Sequence, residues 1–377
     1  MTDERSAAAA TLTTLPGLGP ARLRLLLGHH DPIDALRGLA GDSPLHPMVR
    51  RSIPDALRAD LVDAARRVEP SRCGERCEQL GVRVLLDGDA DYPIALAGDP
   101  GRPAVLFVRG DLEVLAHRRV AVIGTRNATR SGLATATDLG SALAEFGVTV
   151  VSGLALGIDG AAHEGVRAAA GRPVGVVGCG LDLPYPRRNR PLWDWVASDG
   201  LLMSEWAPGV EPATWRFPQR NRIIAALAEV LVVVESRERG GSLITARLAL
   251  DRGVEVMAVP GSPRCRSSSG TNRLIRDGAA PVTSILDVIA MLGLDHRRQI
   301  DEPFDPRPHP DAVQQRVIDA CRDAPLTLDG LVAETGLEIH QVAMAVARLE
   351  RDGWLVEAGG WFEPSGSRLR WSRQEPA

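Results

Sequence analysis

The chain has 377 residues, of which 44% are apolar and 24% are charged, and its formal net charge is −4. This length allows two or three domains with a large core, and the composition is that of a soluble globular protein. The net charge argues against a protein coated with basic residues for duplex DNA, but a local basic site is compatible with it. All 44 basic residues are arginines, which excludes a lysine-containing phosphate loop and lysine-based covalent catalysis.

The start of the chain and its cysteines both indicate the cytoplasm. Residues 1–6 are acidic where a secretory leader is basic, and no apolar run approaches the length of a transmembrane helix. Five scattered cysteines do not form a disulfide framework and fit a reducing compartment. Cys73 and Cys77 could share a helix face, but no further ligand lies near them at metal-binding spacing. We therefore expect a cytoplasmic protein without a metal, a cofactor or a membrane contact.

The first predicted elements are helices. Residues 12–27 contain Leu-Pro-Gly-Leu-Gly followed by an amphipathic run, as in a helix-hairpin-helix, where a glycine turn brings backbone N–H groups near a DNA phosphate. A helical turn with a glycine C-cap is the alternative interpretation. Helical spacing continues over residues 55–79. The sequence predicts a helical domain over 1–80, of the helix-hairpin-helix or related SAM type.

The middle of the chain contains six stretches that each read as a buried strand followed by a loop of glycine, hydroxyl residues and arginine. Strands that are apolar on both faces indicate a parallel sheet covered by helices, whose ligands sit beyond the carboxyl ends of the strands. Two further strand-like runs, at 82–86 and 105–108, precede them. We predict an α/β domain over 81–293 with a Rossmann-like, doubly wound, mostly parallel sheet and with the six loops on one surface. The six stretches are 120–126, 148–153, 174–180, 201–205, 230–235 and 254–261.

The C-terminal part reads as a linker followed by a small domain. Residues 294–310 are polar and rich in proline, as expected of a linker. Three helical patterns and a hairpin that turns at Gly359-Gly360 predict a winged helix over 311–363, with a tail over 364–377. Its third helix carries one arginine and much alanine, so we expect a protein contact or a packing role more than reading of DNA bases.

The first loops of the sheet do not suit a dinucleotide. Gly124 is followed by Thr-Arg-Asn, and the second strand ends in Ser152-Gly153, where an acidic residue would bind the ribose. Asp159 and His163 are candidates for a base and its orienting partner, or for two metal ligands. We favour a structural interpretation, in which Asp159 caps a helix and His163 is held by hydrogen bonds, because no third ligand or nucleophile accompanies them.

Arginines concentrate in residues 216–247, where six of them outnumber three glutamates. Arg-Asn-Arg at 220–222 follows a proline, and Arg239-Gly-Gly-Ser opens a predicted helix after a strand. Backbone N–H groups at a helix start and planar guanidinium groups both match phosphate oxygens, so this segment predicts phosphate or nucleic-acid binding. Three aromatic residues flank it and are candidates either for stacking on bases or for ordinary packing: Trp206, Trp215 and Phe217.

Eight motifs in series are similar to the signature of the DNA-processing protein A family, also called DprA or Smf. They are Ala121–Arg126, Val151–His163, Gly178–Pro186 with Asn189, Ser204–Glu205, Phe217–Arg222, Gly241–Ala246, Val259–Gly261 and Gly270–Ile275. The resemblance is close over about residues 80–290 and looser in the flanking parts. It implies a Rossmann-like domain that binds single-stranded DNA, forms a homodimer and loads the recombinase RecA onto incoming strands during natural transformation, without being an enzyme.

The resemblance also implies a set of DNA-binding residues. Arg126 and an arginine of the Arg-Asn-Arg run would hold phosphates, and other members would line the same groove. Where the family usually has lysine and serine, this chain has Arg239-Gly240, which keeps the charge but loses a hydroxyl group. The implied residues are Gly124, Thr125, Arg126, Ser152, Gly153, Arg220, Asn221, Arg222, Arg239, Gly241, Ser242 and Asn272.

Two other functions fit parts of the sequence. A nucleotide-processing enzyme of the phosphoribohydrolase type has a related fold and would use Asp159, Glu205 or Glu235 as acid or base. The Pro-Gly-Gly-x-Gly-Thr run of those enzymes is not reproduced here. A winged-helix transcription regulator would read duplex DNA through its third helix, and the neutral third helix of this chain argues against that function.

Overall fold

The computed structural model describes residues 3–294, 307–308, 310–322 and 324–365. The chain divides into two compact units, Met1–His296 and Arg297–Ala377. The division of the first unit into domains over 1–80 and 81–293 stays a prediction. Most of the predicted linker and most of the predicted tail lie outside the described residues.

Six helices form the N-terminal part of the first unit. They are α1 Glu4–Leu12, α2 Pro20–Leu27, α3 Pro32–Ala40, α4 Pro47–Ser52, α5 Asp55–Arg67 and α6 Pro70–Gln79. Four of the six begin with proline, whose missing N–H would have no helical partner at that position. The Leu-Pro-Gly-Leu-Gly segment forms the turn between α1 and α2, where Gly17 has a φ of +72° and Leu15 and Leu18 are buried.

A nine-stranded sheet is the centre of the first unit. Its strands are β1 Arg83–Leu86, β2 Val105–Gly110, β3 Arg119–Ile123, β4 Thr149–Ser152, β5 Val174–Val177, β6 Leu201–Ser204, β7 Val230–Val233, β8 Glu255–Ala258 and β9 Ala280–Pro281. The order across the sheet is β1-β2-β6-β5-β4-β3-β7-β8-β9. The seven strands from β6 to β9 are parallel, whereas β2 is antiparallel to both β1 and β6. The predicted α/β fold class and the six predicted strands are confirmed.

Helices connect the strands of this sheet. They are α7 Ile94–Ala97, α8 Arg130–Glu145, α9 Ile158–Ala168, α10 Arg190–Asp199, α11 Arg216–Leu227, α12 Gly241–Leu250, α13 Ser269–Arg276 and α14 Ile285–Met291. Every residue of β4, β5, β6 and β7 is buried, as expected of parallel strands covered on both faces. No helix among the described residues is long and apolar enough to span a membrane.

The chain changes direction across the sheet between β3 and β7. From β3 it proceeds outward through β4 and β5 to β6, and from β7 it proceeds the opposite way through β8 to β9. β3 and β7 are nevertheless paired neighbours, from Val120 with Val230 to Ile123 with Val233. Their outgoing loops therefore diverge at a topological switch point, which is the place where open α/β sheets bind ligands.

The second unit has the predicted winged-helix architecture. Its helices are α15 Ala312–Ala320, α16 Leu328–Thr335 and α17 Ile339–Arg351, and its strands are β10 Leu326–Thr327, β11 Leu355–Ala358 and β12 Trp361–Pro364. The strands are antiparallel in the order β10-β12-β11. Gly359 and Gly360 form the hairpin turn with φ values of +63° and +85°, which glycine adopts more readily than other residues.

Candidate nucleic-acid interface

Backbone hydrogen bonds join the loops on both sides of the switch point. The N–H of Thr125 donates to the carbonyl of Glu235 at 2.8 Å, and that of Gly270 donates to the carbonyl of Ser236 at 2.8 Å. Gly157, with a φ of +79°, lies so close to Thr125 that a Cβ would come within 2.3 Å of its carbonyl oxygen. The loops that follow β3, β4 and β7 and the start of α13 therefore form one connected surface.

Eight exposed arginines stand on four loops at the carboxyl ends of the parallel strands, or at the start of the helix that follows the loop. None of the eight has an ion pair within the part of the chain that the structure describes. A surface guanidinium without a carboxylate partner can bind phosphate oxygens through two parallel hydrogen bonds. The arginines lie two by two after β5, β3, β7 and β8: Arg187 and Arg188, Arg126 and Arg130, Arg237 and Arg239, and Arg264 and Arg266.

Arg126 lies over an aromatic pair. Its guanidinium carbon is 4.9 Å from the centroid of the Phe217 ring, which stacks in turn on Tyr185 at 5.5 Å. Tyr185 is 43% exposed. Cations and exposed rings placed side by side are typical of sites for single-stranded nucleic acids. Sequence reasoning missed Tyr185 because it lies 32 residues from Phe217 in the chain and only the fold brings the two rings together.

The other aromatic candidates have different surroundings. Trp206 is only 5% exposed and belongs to the packed interior. Trp215 is 52% exposed, but the Arg216 guanidinium lies over its ring at 5.0 Å. Among the three aromatic residues that the sequence suggested, Phe217 is thus the one that contacts Arg126.

The start of α12 offers free backbone donors beside Arg239. No side chain caps this helix start, since the N-cap residue is Gly240, and Gly241 is exposed. The first N–H groups of a helix have no partner inside the helix, and the helix dipole adds a partial positive charge there. Ser242 is buried and donates to the hydroxyl of Ser236 at 2.9 Å. The arrangement around Arg239 and Gly241 suits an anion.

Asn272 supports the loop that follows β8. Its amide donates to the carbonyl of Gly261 at 2.8 Å, and its side-chain oxygen accepts from the N–H of the same residue at 3.1 Å. Both polar atoms of the side chain are therefore engaged within the protein. Asn272 thus positions the loop, and its implied contact with DNA stays a prediction.

Three residues predicted to contact DNA lie beneath the surface instead. Arg220 is 4% exposed, and its guanidinium donates to the carbonyl of Gly153 at 2.7 Å. Ser152 is fully buried and donates to the carbonyl of Val122 at 2.6 Å. The N–H of Gly153 donates to the carboxylate of Asp159 at 3.2 Å. Because these donors are already occupied, the structure corrects the prediction: the three residues hold the loops from below.

The rest of the Arg-Asn-Arg run is half-buried and bonded within the protein. Arg222 forms an ion pair with Glu205 at 2.5 Å, and the two side chains are 12% and 3% exposed. The side-chain oxygen of Asn221 accepts from Nε of Arg220 at 2.9 Å. Residues two apart on a helix do not share a face, so Arg220 and Arg222 reach different partners from α11. Arg222 as a phosphate contact is thus a second correction.

Asp159 and His163 lie buried below the loop that follows β4. Burial raises the pKa of the Asp159 carboxyl group, while the Arg220 guanidinium lowers it. His163 is fully buried, and among the described residues neither ring nitrogen has a hydrogen-bond partner. Burial lowers the pKa of His163 to about 3, with a smaller contribution from Arg220. The expectation that hydrogen bonds hold His163 was therefore wrong: a neutral imidazole is packed there.

The two other candidate acid–base carboxylates have structural partners. Glu235 accepts from the backbone N–H of Thr129 at 2.9 Å and from its hydroxyl group at 2.6 Å. A Cβ at Gly132 would come within 2.3 Å of this carboxylate, so glycine allows α8 to begin against it. Glu235 thereby fixes the loop that carries Arg126, and Glu205 is occupied by its arginine.

Cys73 and Cys77 share one face of α6, as their spacing predicts. Cys77 is fully buried and Cys73 partly buried. Within the described residues, no group of three histidine, cysteine or acidic side chains is placed to hold a metal ion.

Comparison with known proteins identifies the family. The family model of DNA recombination-mediator protein A matches residues 83–293, and the model of the DprA winged helix domain matches residues 301–360. The chain belongs to the DNA recombination-mediator protein A family. This confirms the resemblance that the eight motifs indicated.

Members of this family are similar to the chain over most of its length. The putative DNA processing protein DprA of Mycobacterium tuberculosis H37Rv is 35% identical over 394 residues and covers 96% of each chain. The DNA processing protein DprA of Bacillus subtilis is 40% identical over 225 residues, which cover 59% of this chain and 75% of that protein.

Two solved structures of the family share the fold. DNA processing protein A of Streptococcus pneumoniae superposes with a TM-score of 0.63 at 31% identity, covering 77% of this chain and 98% of that one. The Helicobacter pylori protein superposes with a TM-score of 0.52 at 30% identity, covering 57% and 97%. The H. pylori structure concerns a single-stranded DNA binding mode of that protein.

Proposed function

We propose that this protein is a non-enzymatic, cytoplasmic, single-stranded DNA-binding protein that loads RecA onto incoming strands during natural transformation. We further propose that it acts as a homodimer. The observation that supports DNA binding best is the set of exposed arginines around the switch point of the sheet that have no acidic partner within the described ranges. The family and the single-stranded DNA bound by the H. pylori relative support the same function.

The chemistry of the surface suits a single strand more than a duplex. Single strands are held by a positive groove that follows the backbone, together with rings on which bases stack. Aromatic residues make up only 4% of this chain, so phosphate contacts should supply most of the affinity. Binding should therefore weaken steeply as the salt concentration rises, because each phosphate contact releases counterions.

Within this site we assign separate roles to the predicted residues. Arg126 and Arg239 bind phosphates, and the open face of Tyr185 offers a platform for a base. Backbone N–H groups at the start of α12, beside Gly241, bind a further phosphate oxygen. The remaining residues keep the loops in position from below or from the side: Gly124, Thr125, Ser152, Gly153, Arg220, Asn221, Arg222, Ser242 and Asn272.

The first test is DNA binding by fluorescence anisotropy, with oligo-dT and a matched duplex at two salt concentrations. The proposal predicts salt-sensitive binding that favours the single strand. If neither the single strand nor the duplex binds, the proposal is contradicted. Release of a free base from AMP, lost in Glu235→Gln, would instead support the nucleotide-processing enzyme, for which the hydrogen-bonded position of Glu235 gives no support.

RecA loading requires its own assay. The DNA-dependent ATPase of RecA can be followed on single strands already covered by a single-strand-binding protein. The proposal predicts a shorter lag when this protein is added, and no shortening with Arg126→Ala/Arg239→Ala. If the wild-type protein binds DNA but leaves the lag unchanged, the loading function is contradicted and the DNA-binding function is not.

A further inference from the structure

We propose that Arg187 and Arg188, on the loop after β5, extend the phosphate track beyond the switch point. This inference rests on the proposed single-strand binding and defines how far the strand runs. The track would begin at the loop after β8, pass the switch point and end where α10 starts. A single strand on it would contact four loops instead of the two that flank the switch point.

A chain of side-chain contacts connects these two arginines with the candidate site. Tyr185 precedes Arg187 by two residues and stacks on Phe217, and Phe217 contacts Arg126. Asn189 fixes the other end of the loop, because its amide donates to the carbonyls that follow β4 at 2.9 and 3.1 Å. The loop is therefore held on the same surface as Arg126.

The strand order places the arginine loops in a row. The strands β5, β4, β3, β7 and β8 are consecutive neighbours, and two exposed arginines follow each of them except β4, on the outgoing loop or at the start of the next helix. The loop after β4 lacks arginine, and Leu156 is exposed there. Neighbouring strands lie about 4.8 Å apart, so the row spans roughly 19 Å. Sites for single strands cover about 4 to 16 nucleotides, and a row of this length fits the short end of that range.

The position of Arg187 and Arg188 is hard to explain by folding. Both side chains are exposed, and neither forms an ion pair among the described residues. They directly precede α10, whose positive end disfavours cations. Arg190 at the same helix start does have a partner, Asp194 at 3.7 Å. Two unneutralised cations there reduce stability, and a bound phosphate would compensate for them.

The test compares Arg187→Ala/Arg188→Ala with the wild type on oligo-dT of increasing length, from about 4 to about 16 nucleotides. We expect the longest oligonucleotide to bind about 25-fold more weakly at ~0.1 M salt, with the slope of log affinity against log salt smaller by about 1.4. Because the whole row fits the shortest of these lengths, the loss of affinity should be present at every length. The thermal midpoint should stay the same or rise.

Two further variants make the result specific. Arg118→Ala/Arg172→Ala removes the same charge from the opposite edge of the sheet and should leave both affinity and slope unchanged. Arg187→Lys/Arg188→Lys keeps the charge and should restore most of the slope. If the wild type binds oligo-dT but Arg187→Ala/Arg188→Ala has the wild-type affinity and slope at every length, the extended track is wrong. A wild type that binds no oligo-dT would instead overturn the proposed function.

Discussion

Arginines at the two edges of the sheet, where the strands begin (the amino edge) and where they end (the carboxyl edge), differ in their ion pairing. At the amino edge, arginines that precede the strands are paired with carboxylates: Arg118 with Glu229, Arg172 with Asp111 and Arg252 with Asp99. At the carboxyl edge, eight exposed arginines have no such partner among the described residues. The chain as a whole is acidic by four charges, so the local pairing of arginines, and not their number, marks the surface that can attract an anion.

A third group of arginines lies beneath the carboxyl edge and belongs to neither class. Arg220 is buried and donates to backbone carbonyls, so its loss would leave those carbonyls and Asp159 without their partner. Removing one member of a buried charged network costs about 3–5 kcal/mol. We expect Arg220→Ala to lower the free energy of unfolding by that amount in urea titrations. If Arg220→Ala is as stable as the wild type and has lost only DNA affinity, Arg220 contacts DNA directly and its structural role is wrong.

The carboxyl edge itself is probed by removing the two arginines beside the switch point. For single strands each phosphate contact adds about 0.7 to the salt slope, which corresponds to about fivefold in affinity at ~0.1 M salt. Arg126→Ala/Arg239→Ala should therefore bind oligo-dT about 25-fold more weakly, as measured by anisotropy. Its free energy of unfolding should stay within about 0.5 kcal/mol of the wild type, because neither side chain forms an ion pair with any residue that the structure describes. If Arg126→Ala/Arg239→Ala binds oligo-dT with wild-type affinity, the carboxyl edge is not the DNA site.

The buried residues below the loops can be tested through the pH dependence of stability, to which the exposed arginines do not contribute. The lowered pKa of His163, about 3, means that it binds a proton in the unfolded chain at pH values where the folded protein does not. Its contribution to stability is therefore present above its ordinary pKa of about 6.5 and is lost as the pH falls below it. Between pH 7.5 and 5.5 the wild type should lose about 1.4 kcal/mol more than His163→Leu. Equal losses in urea titrations at the two pH values would show that His163 is protonated in the folded protein.

The smallest effect is expected at the amino edge. Arg172 pairs with Asp111 in an exposed position, and such pairs contribute about 0–1 kcal/mol. Arg172→Ala should change the thermal midpoint only slightly and leave oligo-dT affinity within about twofold of the wild type. A large loss of affinity here would mean that total charge, and not its placement, controls binding.

The sequence was sufficient for the sheet because strands such as Val230–Val233 are apolar on both faces and run into glycine loops. It was also sufficient to place Arg126 and Arg239 at one edge of the sheet, because they follow strands whose carboxyl ends meet there. It was not sufficient for Arg220 and Arg222, since Arg-Asn-Arg looks the same whether its partners are phosphates or buried carbonyls. Distinguishing them requires the position of α11 relative to the loops.

The same limit applies to the ends of the arginine row. Arg187 and Arg188 resemble any pair of surface arginines until the fold brings Tyr185 onto Phe217. The acidic partners of the amino edge are equally hidden, because Glu229 lies 111 residues from Arg118 and Asp111 lies 61 residues from Arg172. Pairing across such distances is a property of the folded chain.

The most direct test is the salt dependence of oligo-dT binding for the wild type and two variants that each lack two arginines. Arg126→Ala/Arg239→Ala changes the carboxyl edge, and Arg118→Ala/Arg172→Ala removes the same charge from the amino edge. A slope smaller by about 1.4 in the first variant and unchanged in the second is the predicted result. Equal slopes in both variants would contradict the assignment of the DNA site to the carboxyl edge of the sheet.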